Sequence, residues 1–396
     1  MSASHLQFKL LIHATHEAGF KLGGIGAVLE GLLGARSYRE NVERTVLVGP
    51  MDASNKSEME RLTAPRNRLD ILYSGLHRIN EVEKSLAARL SKIEGDYQVR
   101  VLYGKRLFGS ARHEVLLVDA TEADQAKINL FRGRVWERYG IPSDRYENHS
   151  EYNYYLNAAE PSFLALQALV GDCDARAFII AHEFMGLPLV FAAEVNAPGE
   201  YRSVFYAHEV ATVRPIIEDH PGHDTMFYNV ITRAADEGKS LPDIFGDQSG
   251  FYKHALISAA TECDNIFCVG DRVVAEMHFL DPAFARKNID LVYNGLPSHE
   301  ISPEEKLASG RKLRQYAVNL GLFDAPPDFI FSHVTRLIIS KGLWRDIRVA
   351  PWPPRAKRPC FMCFPPSFPP VDPPKRFFAW KKSMAGLLFI VKVLPI

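Results

Sequence analysis

The sequence predicts an α/β fold with a parallel sheet covered on both faces. Short apolar runs alternate with stretches of helical spacing over most of the chain. A glycine-rich turn, Lys21-Leu-Gly-Gly-Ile-Gly26, joins the first apolar run to the first helical pattern. With 396 residues, two such domains can each bury a substantial core.

The elements follow in order. "FKLLIHAT" and "RTVLVGP" read as two early strands flanking a helix that begins at Ala27, the second strand ending at Gly49-Pro50. A polar helical region is expected from about Ser57 to Leu90. "YQVRVLYGKRL" and "HEVLLVDA" suit further strands. "SEYNYYLNAAEPSFLALQAL" has helical spacing, with Pro161 expected to start a second helix. "AFIIAHE" and "YRSVFYAHE" are strands that each end in His-Glu, and "NIFCVG" and "IDLVYNG" are strands that end in glycine turns. Residues 1–300 are therefore assigned to one domain and 301–327 to a connector. "FIFSHVTRLIISKG" opens a second α/β unit over 328–349.

The glycine turn carries chemistry. A strand, glycine loop and helix in that order set backbone N–H groups beside a helix N-terminus, a place suited to a diphosphate. Lys21 at the mouth of the loop can reach the same anion as a point charge. The same turn also suits a mere tight connection. It is neither the Gly-x-Gly-x-x-Gly dinucleotide fingerprint nor a phosphate loop with a following lysine. In parallel sheets ligands gather at the carboxyl ends of strands, which singles out His182-Glu183 and His208-Glu209. A strand-end histidine can equally cap backbone groups. Metal binding by these four residues is disfavoured, since no His-x-x-x-His spacing joins them.

Composition narrows the classes. Lys+Arg and Asp+Glu are both 47, so no net charge calls for nucleic acid or an anionic membrane. No apolar run reaches the roughly 18 residues of a membrane span. Five cysteines without framework spacing and the lack of a secretory pattern at the N-terminus lead to an expected cytoplasmic location. The balance hides a split. Residues 350–396 hold 11 of the 25 prolines and eight Lys/Arg against the single acid Asp372. Proline at this density opposes interior helix and sheet. The tail reads as a proline-rich interaction segment, as a basic anchor, or as an out-of-frame product that replaced the original continuation. It is expected to be non-native or disordered. Its Cys360 and Cys363 have no second pair with which to complete a metal site.

"HEAGFKLGGIGAVLEGLL" resembles the opening motif of the glycogen and starch synthases, retaining glycosyltransferases of the GT-B fold. Glu17 falls where that family has a glutamate. "DNIFCVGDRVVAEM", "LVYNGLP" and "SHVTRLIISKGL" resemble further family motifs in family order, and "AHEFMGL" does so in part. The resemblance implies a complete N-terminal Rossmann-like domain with only the first unit of the second. It implies glucosyl transfer from ADP- or UDP-glucose to an α-1,4-glucan, with no cofactor and no essential metal. Carried over by position, His208 is the catalytic residue facing the donor sugar. Lys21, Gly23, Gly24, Arg336 and Lys341 bind the donor diphosphate, and His182 and Glu183 lie on the acceptor side. Glu183, Phe184 and Met185 depart from the family's Asp, Trp and His, which leaves the acceptor open. Nothing after Val349 resembles the family's second domain, so the chain is expected to be inactive or impaired. The alternative is a glucan- or protein-binding module with a proline-rich interaction tail.

Overall fold

The computed structural model describes residues 8–171, 177–219, 227–295, 299–319, 323–328 and 330–334, and the backbone of 360–364 and 389–391. Contacts divide the chain into two units, 1–297 and 298–396.

The first unit is a ten-stranded sheet. Its strands are β1 (Phe8–Ala14), β2 (Val42–Pro50), β3 (Leu69–Ser74), β4 (Ile79–Asn80), β5 (Arg100–Phe108), β6 (Ala111–Asp119), β7 (Ala177–His182), β8 (Arg202–Ala207), β9 (Asn265–Cys268) and β10 (Ile289–Leu291). They lie in the order β10-β9-β8-β7-β1-β2-β6-β5-β3-β4. From β10 to β6 every pairing is parallel; β6-β5, β5-β3 and β3-β4 are antiparallel. The expected parallel sheet is therefore present, with an antiparallel edge that the alternation of strands and helices did not imply.

Both faces are covered. Leu10, Ile12, Val46, Val48, Ile179 and Ala181 point into the larger core, which includes the Ser150–Val170 and Glu183–Asn196 helices. Leu11, Leu47, Leu102, Val115 and Leu117 point the other way, onto Leu29 and Leu33 of the Gly24–Gly34 helix. This two-faced burial explains why the strands read as continuous apolar runs.

Two expectations need correction. The helical region proposed for 57–90 is two helices, Lys56–Thr63 and Lys84–Tyr97, separated by β3 and β4. The intervening "LDILYS" has too few residues to show a period against its charged flanks, and its pairing partner β5 is about thirty residues away in sequence. Pro161 does not start a helix; it sits inside the single helix Ser150–Val170. Tyr152, Tyr155, Leu156, Phe163 and Leu166 are buried on either side of it. That apolar stripe sustains the helix across the missing N–H.

The second unit contains the Pro303–Asn319 helix and a three-stranded parallel sheet, β11 (Ile330–Val334), β12 (Cys360–Phe364) and β13 (Phe389–Val391), in that order. Ala317 packs with Tyr316, Phe323 and Ile330, so the helix expected to be a connector belongs to this unit's core. β12 and β13 lie within the proline-rich stretch that was expected to exclude strands. Both segments are themselves free of proline, and the donors a ladder needs are present there.

Close approach of the Glu183–Asn196 helix to the sheet depends on Gly186. A Cβ there would lie 2.4 Å from the Ala14 carbonyl oxygen and 2.8 Å from the Ala181 Cα. Both neighbours are backbone and cannot rotate away. Gly186→Ala is expected to lower unfolding stability by about 1–3 kcal/mol or more, read from urea denaturation. An unchanged midpoint would contradict this packing.

Candidate active site at the carboxyl edge of the sheet

Three loops leave the carboxyl ends of β1, β7 and β8 side by side. The first holds the glycine turn. Gly23 is the N-cap of the Gly24–Gly34 helix, and no side chain caps that helix. The expected nest is already partly filled: Glu17 Oε2 accepts from Leu22 N and Gly23 N, both at 2.6 Å. A Cβ on Gly26 would fall 2.3 Å from the same oxygen, so glycine is needed there for close approach rather than for ligand binding. Gly24 is exposed, with nothing within 4 Å of where its Cβ would stand, and Lys21 is exposed beside it in sequence. The N–H groups left for an anion are those of the first helical turn.

The second and third loops share a carboxylate. Glu183 begins its helix with φ 61°, a left-handed conformation rare outside glycine. Its Oε1 accepts from His208 N at 2.5 Å and Glu209 N at 2.7 Å, while Oε2 is buried with no hydrogen-bond partner among the described residues. Glu276 extends the arrangement, its Oε2 accepting from Val210 N at 3.3 Å. Burial raises the Glu183 carboxyl to about 8, helped by the nearby Glu209 and Glu276 charges and opposed by the two backbone N–H groups.

Between the loops runs a chain of imidazoles. His13 Nδ1 lies 2.9 Å from His182 Nε2, and His182 Nδ1 lies 2.9 Å from His208 Nε2. Successive ring centroids are 5.2 Å apart with interplanar angles of 30° and 25°. His13 and His182 are fully buried; His208 is half-buried at the edge. Burial lowers all three, His13 to about 3 and His208 to about 4, with His182 pushed well down by burial and its histidine neighbours. At neutral pH the chain is uncharged. Among the described residues no group of three or more His, Cys, Asp or Glu is arranged to hold a metal ion.

The expected residues thus separate. Lys21, Gly23, Gly24 and His208 lie on loops at one edge of the sheet. His182 and Glu183, expected on the acceptor side, are both buried, and their polar atoms contact His208 and its loop. Arg336 and Lys341 lie outside the described residues. Sequence reading missed His13 and Tyr38, whose hydroxyl is 3.0 Å from His13 Nε2. The only signal was a histidine in an otherwise apolar strand.

A cavity of about 900 Å³ opens at the same edge beyond β2 and β6. Asp52, Glu147 and Glu151 line it; Glu151 pairs with Lys253 Nζ at 2.8 Å, and Arg132 donates to Asn153 Oδ1 and Asn157 Oδ1 at 2.9 Å.

No family model and no curated protein matches the chain. Among solved structures, it is similar to a trehalose-6-phosphate protein from E. coli bound with UDP-2-fluoro glucose, at 13% identity and a TM-score of 0.45, over 98% of this chain and 74% of that one. It is also similar to an alpha,alpha-trehalose-phosphate synthase (UDP-forming) from Burkholderia xenovorans in complex with glucose-6-phosphate, at 10% identity and a TM-score of 0.46, over 97% and 74%. A third is the N-terminal domain of trehalose-6-phosphate phosphatase from Candida albicans, at 9% identity and a TM-score of 0.45, over 100% and 74%.

The buried titratable groups act on stability with opposite signs. Histidines lowered from 6.5 bind fewer protons folded than unfolded, so stability falls as pH drops from about 6.5 toward 4. Glu183, raised from 4.5 to about 8, keeps its proton when folded and loses it when unfolded. Its contribution therefore declines as pH rises through that window, by at most about 1.4 kcal/mol per pH unit. Glu183→Gln keeps one acceptor oxygen and is expected to remove the decline between pH 6.5 and 8 in urea titrations. A wild-type decline that persists unchanged in the variant would show that Glu183 is not its source.

Proposed function

We propose that the chain is a GT-B-type nucleotide-sugar glucosyltransferase of the glycogen and starch synthase type, binding ADP- or UDP-glucose at the carboxyl edge of its large sheet. The observation that carries the reading is the pairing, at one edge, of an uncapped helix N-terminus with Lys21 and a fixed neutral histidine, His208. Departure of a nucleoside diphosphate develops negative charge, which N–H dipoles and a cation stabilise. A neutral imidazole held by its own loop can hydrogen-bond a sugar hydroxyl without charge repulsion or rearrangement. In this reading His208 faces the transferred sugar, and Lys21, Gly23 and Gly24 face the diphosphate. Arg336 and Lys341 complete the clamp by family resemblance. Protein cations then do the work of a metal ion.

The acceptor is an uncharged glucan. The excess of carboxylates in the 900 Å³ cavity disfavours a phosphorylated acceptor, and its amide and hydroxyl side chains suit polyhydroxylated chains. Glu183, His182 and Glu17 position the loops and touch no ligand.

Gly24→Ala separates ligand loss from misfolding, because the added methyl meets no protein atom. It is expected to weaken ADP- or UDP-glucose binding at least about tenfold, or ~1.4 kcal/mol, by calorimetric titration. Lys21→Ala is expected to weaken binding and flatten its salt dependence. Unaltered donor affinity in Gly24→Ala, or no donor binding by the wild-type chain, would remove the basis of the proposal.

A further inference from the structure

The imidazole chain has a direction, and its direction decides what His208 offers a ligand. The chain continues inward beyond His13: Tyr38 Oη lies 3.0 Å from His13 Nε2 and 3.0 Å from Thr45 Oγ1. Five groups from β2, the Arg36–Asn41 helix, β1, β7 and the loop after β8 are thereby joined by four hydrogen bonds. Each neutral imidazole carries one N–H and one lone pair, so an internal ring that donates on one side must accept on the other. The protons must all point the same way.

The two directions are unequal. If every proton points inward, His208 Nε2–H donates to His182 and, at the far end, Tyr38 donates to Thr45. The Thr45 hydroxyl hydrogen then needs an acceptor. Thr45 is 4% exposed and its hydroxyl has no other hydrogen bond among the described residues, so a buried donor would be stranded. If every proton points outward, Thr45 donates to Tyr38, Tyr38 to His13, His13 Nδ1–H to His182, and His182 Nδ1–H to His208 Nε2. No buried donor is left over, and the last proton sits on His208 Nδ1 at the half-exposed edge.

Neighbours do not compete for these atoms. Tyr206, 4.5 Å from the His208 ring, donates its hydroxyl to the Val292 carbonyl at 3.1 Å. His113, edge-on to Tyr38, has its Nε2 3.1 Å from the Leu33 carbonyl. Glu183 accepts from backbone N–H groups, not from the ring.

We propose that Thr45, Tyr38, His13 and His182 form a directed hydrogen-bond wire that fixes His208 as the Nδ1–H tautomer. His208 then presents a neutral donor to an oxygen of the bound ligand and cannot act as a base through that nitrogen. Tyr38, His13 and His182 are positioning residues, acting through His208; Thr45 closes the inner end of the wire. The inference rests on the glucosyltransferase reading only for the identity of the oxygen, a sugar hydroxyl; the tautomer belongs to the free protein.

The test is side-chain ¹⁵N–¹H correlation NMR of the full chain labelled in histidine at neutral pH, with His208→Gln used to assign the His208 signals. The expected result is Nδ1–H at His208, His13 and His182, against the Nε2–H form that free neutral imidazole side chains prefer. Nε2–H at His208, or an even mixture, overturns the wire. Tyr38→Phe removes the donor that sets the direction and is expected to raise the Nε2–H fraction at His208. Thr45→Val is expected to leave it Nδ1–H, because His13 Nε2 is then the acceptor left for the Tyr38 hydrogen among the described residues. Unchanged His208 populations in a folded Tyr38→Phe protein would also overturn the proposal. A chain with the expected tautomers that binds no sugar nucleotide would instead defeat the glucosyltransferase reading and leave the wire standing.

Discussion

Two buried carboxylates, each accepting a pair of consecutive backbone N–H groups, fix the loops on which everything at the sheet edge depends. Glu17 closes the glycine turn through Leu22 and Gly23, and Glu183 closes the His208 turn through His208 and Glu209. Pairing two N–H groups on one carboxyl oxygen removes the main freedom of a short loop, and the bonds are strengthened by charge where the acid is ionised. The arrangement also limits where an anion can sit. With two N–H groups of the turn already taken, an incoming phosphate is left with the first turn of the Gly24–Gly34 helix and with Lys21.

Those carboxylates are not equivalent. Glu17 lies beside His16 Nε2 at 3.8 Å, whereas Glu183 has one oxygen buried without a hydrogen-bond partner among the described residues and lies near two further glutamates. The second environment favours the protonated form, so the His208 loop is held largely by a neutral acid at neutral pH. A neutral acid beside three neutral imidazoles leaves the row of histidines itself without formal charge.

Local signals in the sequence account for what could be read from it. The glycine turn, the strand-end histidines and the apolar runs each occupy a few adjacent residues, and each lands on the element expected. What was missed depends on residues distant in sequence. β3 shows itself only by pairing with β5, and the helix through Pro161 survives only because its apolar stripe is buried on both sides. His13 gains a role from His182, 169 positions later, and from Tyr38. His182 and Glu183 were placed on the acceptor side because strand ends usually face the cleft. Their burial follows from their position beneath the His208 turn, which no spacing within "AHEFMGL" reveals.

The cost of this edge explains why it is informative. Three imidazoles, a tyrosine hydroxyl and two glutamates are withdrawn from water where apolar side chains of similar volume would pack without any desolvation penalty. Glu183 adds a left-handed backbone conformation that most side chains avoid. Folding alone rewards none of this, since the surrounding core of Ile, Leu, Phe and Val side chains is already continuous on both faces. Such expense concentrated within one turn of three neighbouring strand ends is accounted for by a requirement on geometry, and the group whose geometry is fixed most completely is the His208 ring. Its backbone N–H, one ring nitrogen and one ring face are all engaged by protein, and Nδ1 makes no hydrogen bond among the described residues.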